Sequence, residues 1–196
     1  NTTGNGNVAI GYQALTTNVD GSKNTAVGWQ ALETFEAGSS GDGSNTAVGY
    51  DAGQAVSTGT GNTILGAAAG DALQGGDDNT FVGRDAGGAT TAAGELVIIG
   101  AGAGAAVMTT DANGTIAIGK DAGAAITSGI GNTIVGYNAL DSEDDGDQNT
   151  AVGYKALAAQ TGTSGEVGNT AIGYQAGQFI TTATGCTFVG NQAGQG

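Results

Sequence analysis

Apolar residues in this chain come in short bursts with a period of two, each burst closed by glycine. The segments Asn24-Thr25-Ala26-Val27-Gly28, Asn62-Thr63-Ile64-Leu65-Gly66 and Asn169-Thr170-Ala171-Ile172-Gly173 show the pattern. Alternation over about four residues predicts a short β-strand, and a glycine after every run excludes a helix. The burst recurs along the whole chain. Its closing glycine falls at Gly11, Gly28, Gly49, Gly66, Gly83, Gly100, Gly119, Gly136, Gly153, Gly173 and Gly190. The unit step is 17 residues, and the longer steps are 19, 20 and 21. A fixed unit with like strands predicts parallel stacking of one coil on the next. The expected fold is all-β: a parallel β-solenoid (β-roll) of about eleven coils, one repeat domain over residues 1–196, with cores from 7–15 to 186–194. The longer steps predict loops at one edge, over Phe35–Ser44, Thr109–Gly114 and Gln160–Gly168.

The columns of the repeat assign faces. Thr or a β-branched apolar residue follows the Asn position, and Val, Ile or Leu stands two places later. These two columns share one face of the strand and read as the coil interior. The column between them is never polar: Ala26, Ile64, Phe81, Ile98, Ala117, Ile134 and Phe188 are examples. On this assignment it points out of the coil. A long outward apolar stripe needs cover. Ile64, Phe81, Ile98, Ile134 and Phe188 are therefore expected at the interface of a homotrimer. The Asn column (Asn7, Asn24, Asn45, Asn62, Asn79, Asn132, Asn149, Asn169) reads as a stacked amide ladder, interrupted at Leu96, Thr115 and Cys186.

Composition narrows the function. The chain holds 40 Gly, no Pro and no His, with 18 acidic against 4 basic residues for a net charge of −14. Collagen is excluded by the missing three-residue period and missing Pro. Such charge disfavours nucleic acid and anionic lipid as partners, and no run is long enough for a membrane span. Without His, a Ser-His-Asp or Cys-His centre and a His-based metal site are impossible. Paired carboxylates remain, but no pair is marked, so the chain is not read as an enzyme. A lone Cys186 rules out a disulfide framework within the chain. No cofactor is expected apart from a candidate calcium site, since hard cations take carboxylate oxygen: Asp141, Glu143, Asp144, Asp145 and Asp147. All five Tyr and the only Trp share one column after the glycine, at Tyr12, Trp29, Tyr50, Tyr137, Tyr154 and Tyr174. They make either a structural ladder or a strip that contacts a glycan.

The cores Asn7-Val8-Ala9-Ile10-Gly11 and Asn169-Thr170-Ala171-Ile172-Gly173-Tyr174-Gln175-Ala176-Gly177 resemble the β-roll repeats of trimeric autotransporter adhesin heads. With the loop Ile180-Thr181-Thr182-Ala183-Thr184-Gly185, the pattern is also similar to repeats of phage tail-fibre proteins. The resemblance covers nearly the whole chain. It implies a left-handed β-roll, three chains around one axis, and a role in attachment. The longer unit favours the structural rod of a phage tail fibre over an adhesin head. The implied partners are two further copies and a glycan or protein on a host cell, at an extracellular place on a virion or bacterial surface. A monomeric solenoid that binds a flat surface such as ice is a different reading. It needs an exposed Thr array, which the face assignment above turns inward.

Overall fold

The computed structural model describes residues 3–37, 41–161 and 164–195. Eleven three-residue strands form one parallel sheet in strict sequence order, from Val8–Ile10 and Thr25–Val27 to Thr170–Ile172 and Thr187–Val189. Like pairs with like in every register, for example Thr63↔Thr80, Ile64↔Phe81 and Leu65↔Val82. The chain is thus a parallel β-solenoid of tandem repeats, with ten full turns between the first strand and the last. We number its coils 1 to 11 by these strands. The only helical element among the described residues is a single 3-10 turn, Thr110–Ala112.

Each coil turns its corners through left-handed backbone. In coil 5, Asp78, Asp85 and Gly87 have φ of 56°, 56° and 59°. The closing glycine is different. Gly66 has φ of 144°, and a Cβ there would lie 2.4 Å from the carbonyl oxygen of Gly83 in the next coil. Glycine is required twice over, by conformation and by the close approach of successive coils.

The faces are the reverse of the assignment from the sequence. The middle column lies inside the coil: Ile64, Phe81, Ile98 and Ile134 have no exposed surface in a single chain. Phe188, in coil 11, is half-buried and packs on the same core. These five residues fill the coil interior and are not available as a surface between chains. The Thr column and the Val/Ile/Leu column point outward, and none of their members is buried. The reason is the neighbouring Asn. Its amide must be inside to close the coil, and a period of two then carries the middle of the strand inside with it.

That amide ladder holds the turns together. Asn62 donates its backbone N–H and its Nδ2 to Oδ1 of Asn45, at 2.9 and 3.1 Å. Its Nδ2 also reaches the carbonyl of Gly76, at 2.9 Å. Asn79 repeats the set on Asn62 and Ala93. Each buried amide therefore joins two coils and satisfies a loop carbonyl.

A second interior column comes from the far wall: Phe35, Val56, Leu73, Met108 and Ile126, all fully covered. The insertions follow this column and leave the rod at one edge. There Gly146–Asp147 pairs with Gly165–Glu166, and Ser22 bridges to Asp42. The expected loop bounds were too wide, because Phe35, Ala112 and Gln160 belong to the interior. Parts of two loops, 38–40 and 162–163, lie outside the described residues.

Candidate functional site: a neutral face between two charged rims

The outward strand positions build one flat face along the whole rod. Val, Ile and Leu form one column, and Thr forms the other except at Val8, Val97 and Ile116. No position on it is charged, in a chain of net charge −14. Leu65 is 48% exposed, Ile172 43% and Val189 66%. Eleven coils at roughly 4.8 Å make the face about 50 Å long. Most other members of the column are half-buried against one another, and the stripe they make is continuous and solvent-facing, a candidate interaction surface.

Two rims border it. Beyond the Val/Ile/Leu column and the glycine stand the aromatic residues, with Ala67, Arg84, Ala101 and Lys120 in the middle coils. Tyr137, Tyr154 and Tyr174 stack with centroids 5.4 and 5.2 Å apart and planes within 9°. Tyr12 and Trp29 stack at 4.2 Å. Lys120 Nζ stands 5.3 Å over the Tyr137 ring. Stacked rings cover one another's faces and show their edges to solvent. A sugar that stacks on a ring face finds few faces free, so the ladder is first a structural feature. The neighbouring Asp51 carboxylate, by hydrogen bonding and by its charge, raises the Tyr50 pKa above the usual phenol value. Lys120 bonds to Asp121 and is raised likewise.

Beyond the Thr column, the other rim carries the left-handed residue that precedes Asn. Here stand Lys23, Asp78 and Glu95, all exposed. Lys23 pairs with Asp42 at 2.5 Å. Among the described residues Asp78 and Glu95 make no ion pair. With Asp77, Gly94 and Asn113 they line one polar cleft.

Of the five candidate cation residues, Glu143, Asp144 and Asp145 come together, and Asp141 and Asp147 are engaged elsewhere. Glu143 lies inside the coil, in the second interior column, fully covered. It accepts from the backbone N–H of Gly146 at 2.9 Å and from Nε2 of Gln160 at 2.8 Å. Asp141 accepts from Asn138 Nδ2 at 2.6 Å, and Asp147 from the Ile130 N–H at 2.8 Å. Glu143, Asp144 and Asp145 can each offer one oxygen within 4.8 Å of the others. Desolvation raises the Asp145 pKa, and repulsion from Asp144 and Glu143 adds to the shift.

Sequence reasoning found the two columns of the neutral face but placed them inside the coil. The available signal was the Asn ladder, which shares a face with the middle column. No protein-family model, curated protein or solved structure matches the chain.

Proposed function

We propose that this chain is the structural rod of a trimeric attachment fibre, of the kind phages carry on their tails, with its outer surface directed at a host cell. The observation that carries the reading is the uninterrupted neutral face. Copies of net charge −14 repel one another, and this face is where they approach without bringing like charges together. With its rims it measures roughly 50 by 15–20 Å, comparable to the ~800 Å² per partner of a standard protein interface. Three flat faces around one axis cover each other and close the assembly, which stops growth sideways. The resemblance to tail-fibre and adhesin repeats supplies the attachment role. In a trimer the insertion edges remain outside, where a host glycan or protein would meet them.

The test is sedimentation of the chain at micromolar concentration. A trimer is expected, and Leu65→Lys with Val82→Lys should yield folded monomers. Labelled trimer should also bind intact bacterial cells and lose that binding once surface polysaccharide is stripped. A monomer that leaves the face bare defeats the fibre reading.

One observation favours a second reading, a monomeric solenoid that binds ice. The Thr ladder faces solvent at the strand spacing. The fibre comes first because the ladder breaks in the middle, at Val97 and Ile116. A dry interface tolerates those residues, whereas a regular hydroxyl array does not. Thermal hysteresis from a monomer would reverse the order.

A further inference from the structure

We infer that Arg84 and Lys120 of one copy pair with Asp78 and Glu95 of the next across the two rims of the neutral face, and so hold the copies level along the rod. The inference rests on the fibre reading above, which supplies three copies around one axis but not the contacts that set their register.

Both rims carry their charge in the same stretch of the rod. On the aromatic rim, the cations of the column after glycine are Arg84 in coil 5 and Lys120 in coil 7. On the Thr-side rim, the anions are Asp78 in coil 5 and Glu95 in coil 6. Asp78 and Arg84 belong to one coil but stand on opposite sides of the strand, six residues or about 20 Å apart, so they cannot pair within the chain. Arg84 instead bonds Asp85, and Lys120 bonds Asp121. Those aspartates sit one residue farther from the face. Their side chains and the cations are substantially exposed, and exposed pairs of this kind contribute under about 1 kcal/mol. They orient the cations without consuming them. Asp78 and Glu95 have no cation of their own among the described residues, and Asp77 beside them adds to the repulsion.

Rotation about an axis parallel to the rod brings the aromatic rim of one copy against the Thr-side rim of its neighbour, at the same level. This holds for a parallel pair and for a ring of three. Arg84 then meets Asp78 directly. Glu95, one coil on, lies about 4.8 Å along the rod from the levels of both Arg84 and Lys120, within reach of either side chain. The antiparallel alternative brings like rims together. At any overlap Arg84 and Lys120 then lie along the same rim of the other copy, and Asp78 and Glu95 along theirs, so neither cation meets Asp78 or Glu95. The same four charges favour one direction and oppose the other, which is how rim electrostatics sets register rather than gross affinity.

Two measurements test this on the whole chain. The first is assembly of R84E/K120E, followed by sedimentation at low salt. Its association should weaken by about tenfold at each interface, and by less at high salt. Adding D78K/E95K should restore it. The second uses a Cys186→Ser background and a short bis-maleimide. The pair D78C and R84C should join chains to one another, and the pair R84C and K120C should not. A trimer that ignores the reversal, or one that crosslinks through the second pair alone, overturns the rim pairing and leaves the fibre reading standing. An unmodified chain that sediments as a monomer overturns both.

Discussion

The middle of the rod and its flanks fill the same interior from opposite walls. In coils 4 to 6 the strand supplies the bulk, with Ile64, Phe81 and Ile98, and the position six residues on is Gly70, Gly87 or Gly104. In coils 2 and 9 the strand supplies Ala26 and Ala151, and the same later position is Leu32 or Leu157. The substitution is physical. A Cβ on Gly70 would lie 2.7 Å from the Phe81 ring, and one on Gly104 would lie 3.2 Å from Ile98 Cδ1 and 2.7 Å from the Met108 methyl. Where a strand is small and the glycine remains, the next coil leans in. Gly53 and Gly123 each have an Ile Cδ1, of Ile64 and Ile134, 2.8 Å from where a Cβ would stand. The lesson is that the repeat conserves volume and leaves the identity of any one position free, as close packing requires.

The largest effect should come from Phe81→Asp. The side chain has no exposed surface, so the carboxylate would be buried in an apolar interior without a partner. We expect a loss of about 4 kcal/mol or more, measured by urea unfolding, with the central coils melting rather than chains parting. Retention of the wild-type unfolding midpoint would place Phe81 back on the surface.

The volume rule predicts a smaller and reversible effect on a flank. Ala26→Ile overfills coil 2 opposite Leu32 and should cost about 1–3 kcal/mol. Ala26→Ile with Leu32→Gly reproduces the central pattern and should recover most of that loss. Additive costs in the double variant would show that the two walls are independent.

The smallest effect sharpens the corners. Gln148 is exposed with φ of 58°, at a position where Gly61, Gly114 and Gly131 stand in other coils. Left-handed backbone costs an L-residue roughly 1–2 kcal/mol, partly offset by the unfolded-chain entropy of Gly. Gln148→Gly should therefore raise stability by up to about 1 kcal/mol, seen as a higher melting temperature. Phe81→Asp and Gln148→Gly between them separate packing from backbone conformation.

The solenoid was legible because seventeen-residue spacing survives every change of side chain. The Asn ladder was legible too, and its breaks at Leu96 and Thr115 stand where the sequence puts them. The face assignment was not, since Thr and Val suit a buried strand as well as an exposed one and the pattern alone is symmetric. The second interior column was hidden for another reason. Phe35, Val56, Leu73 and Met108 share no residue type, and other coils put the polar Asn18, Thr90, Glu143 and Gln160 at the same buried place, so no repeated residue marks the column. Glu143 suffered most from this. In sequence it belongs to an acidic loop; in the fold it takes the interior place that Ile126 fills in the preceding coil, and Gln160 of the following coil completes its hydrogen bonding.

The direction of the ladder bonds has a mechanical consequence. Every strand donates along the rod axis to its neighbour alone, so a pull on the two ends loads the coil boundaries in series. Strength under tension is then set by the weakest boundary, however many coils are added. The amide ladder is missing at two successive boundaries, after Leu96 and after Thr115, and there the rod is weakest. Neither side chain offers an amide oxygen to the next coil, and the chain crosses on backbone bonds such as Val97 N–H to the Thr115 carbonyl at 3.1 Å and Ile116 N–H to the Asn132 carbonyl at 2.8 Å, helped at the first boundary by Gly94 N–H to Asn113 Oδ1 at 2.8 Å. Elsewhere, as at Asn62 and Asn79, the amide adds two bonds at 3.0 Å. Under tension the rod would yield first in that stretch, and the coils on either side of it would part as intact blocks.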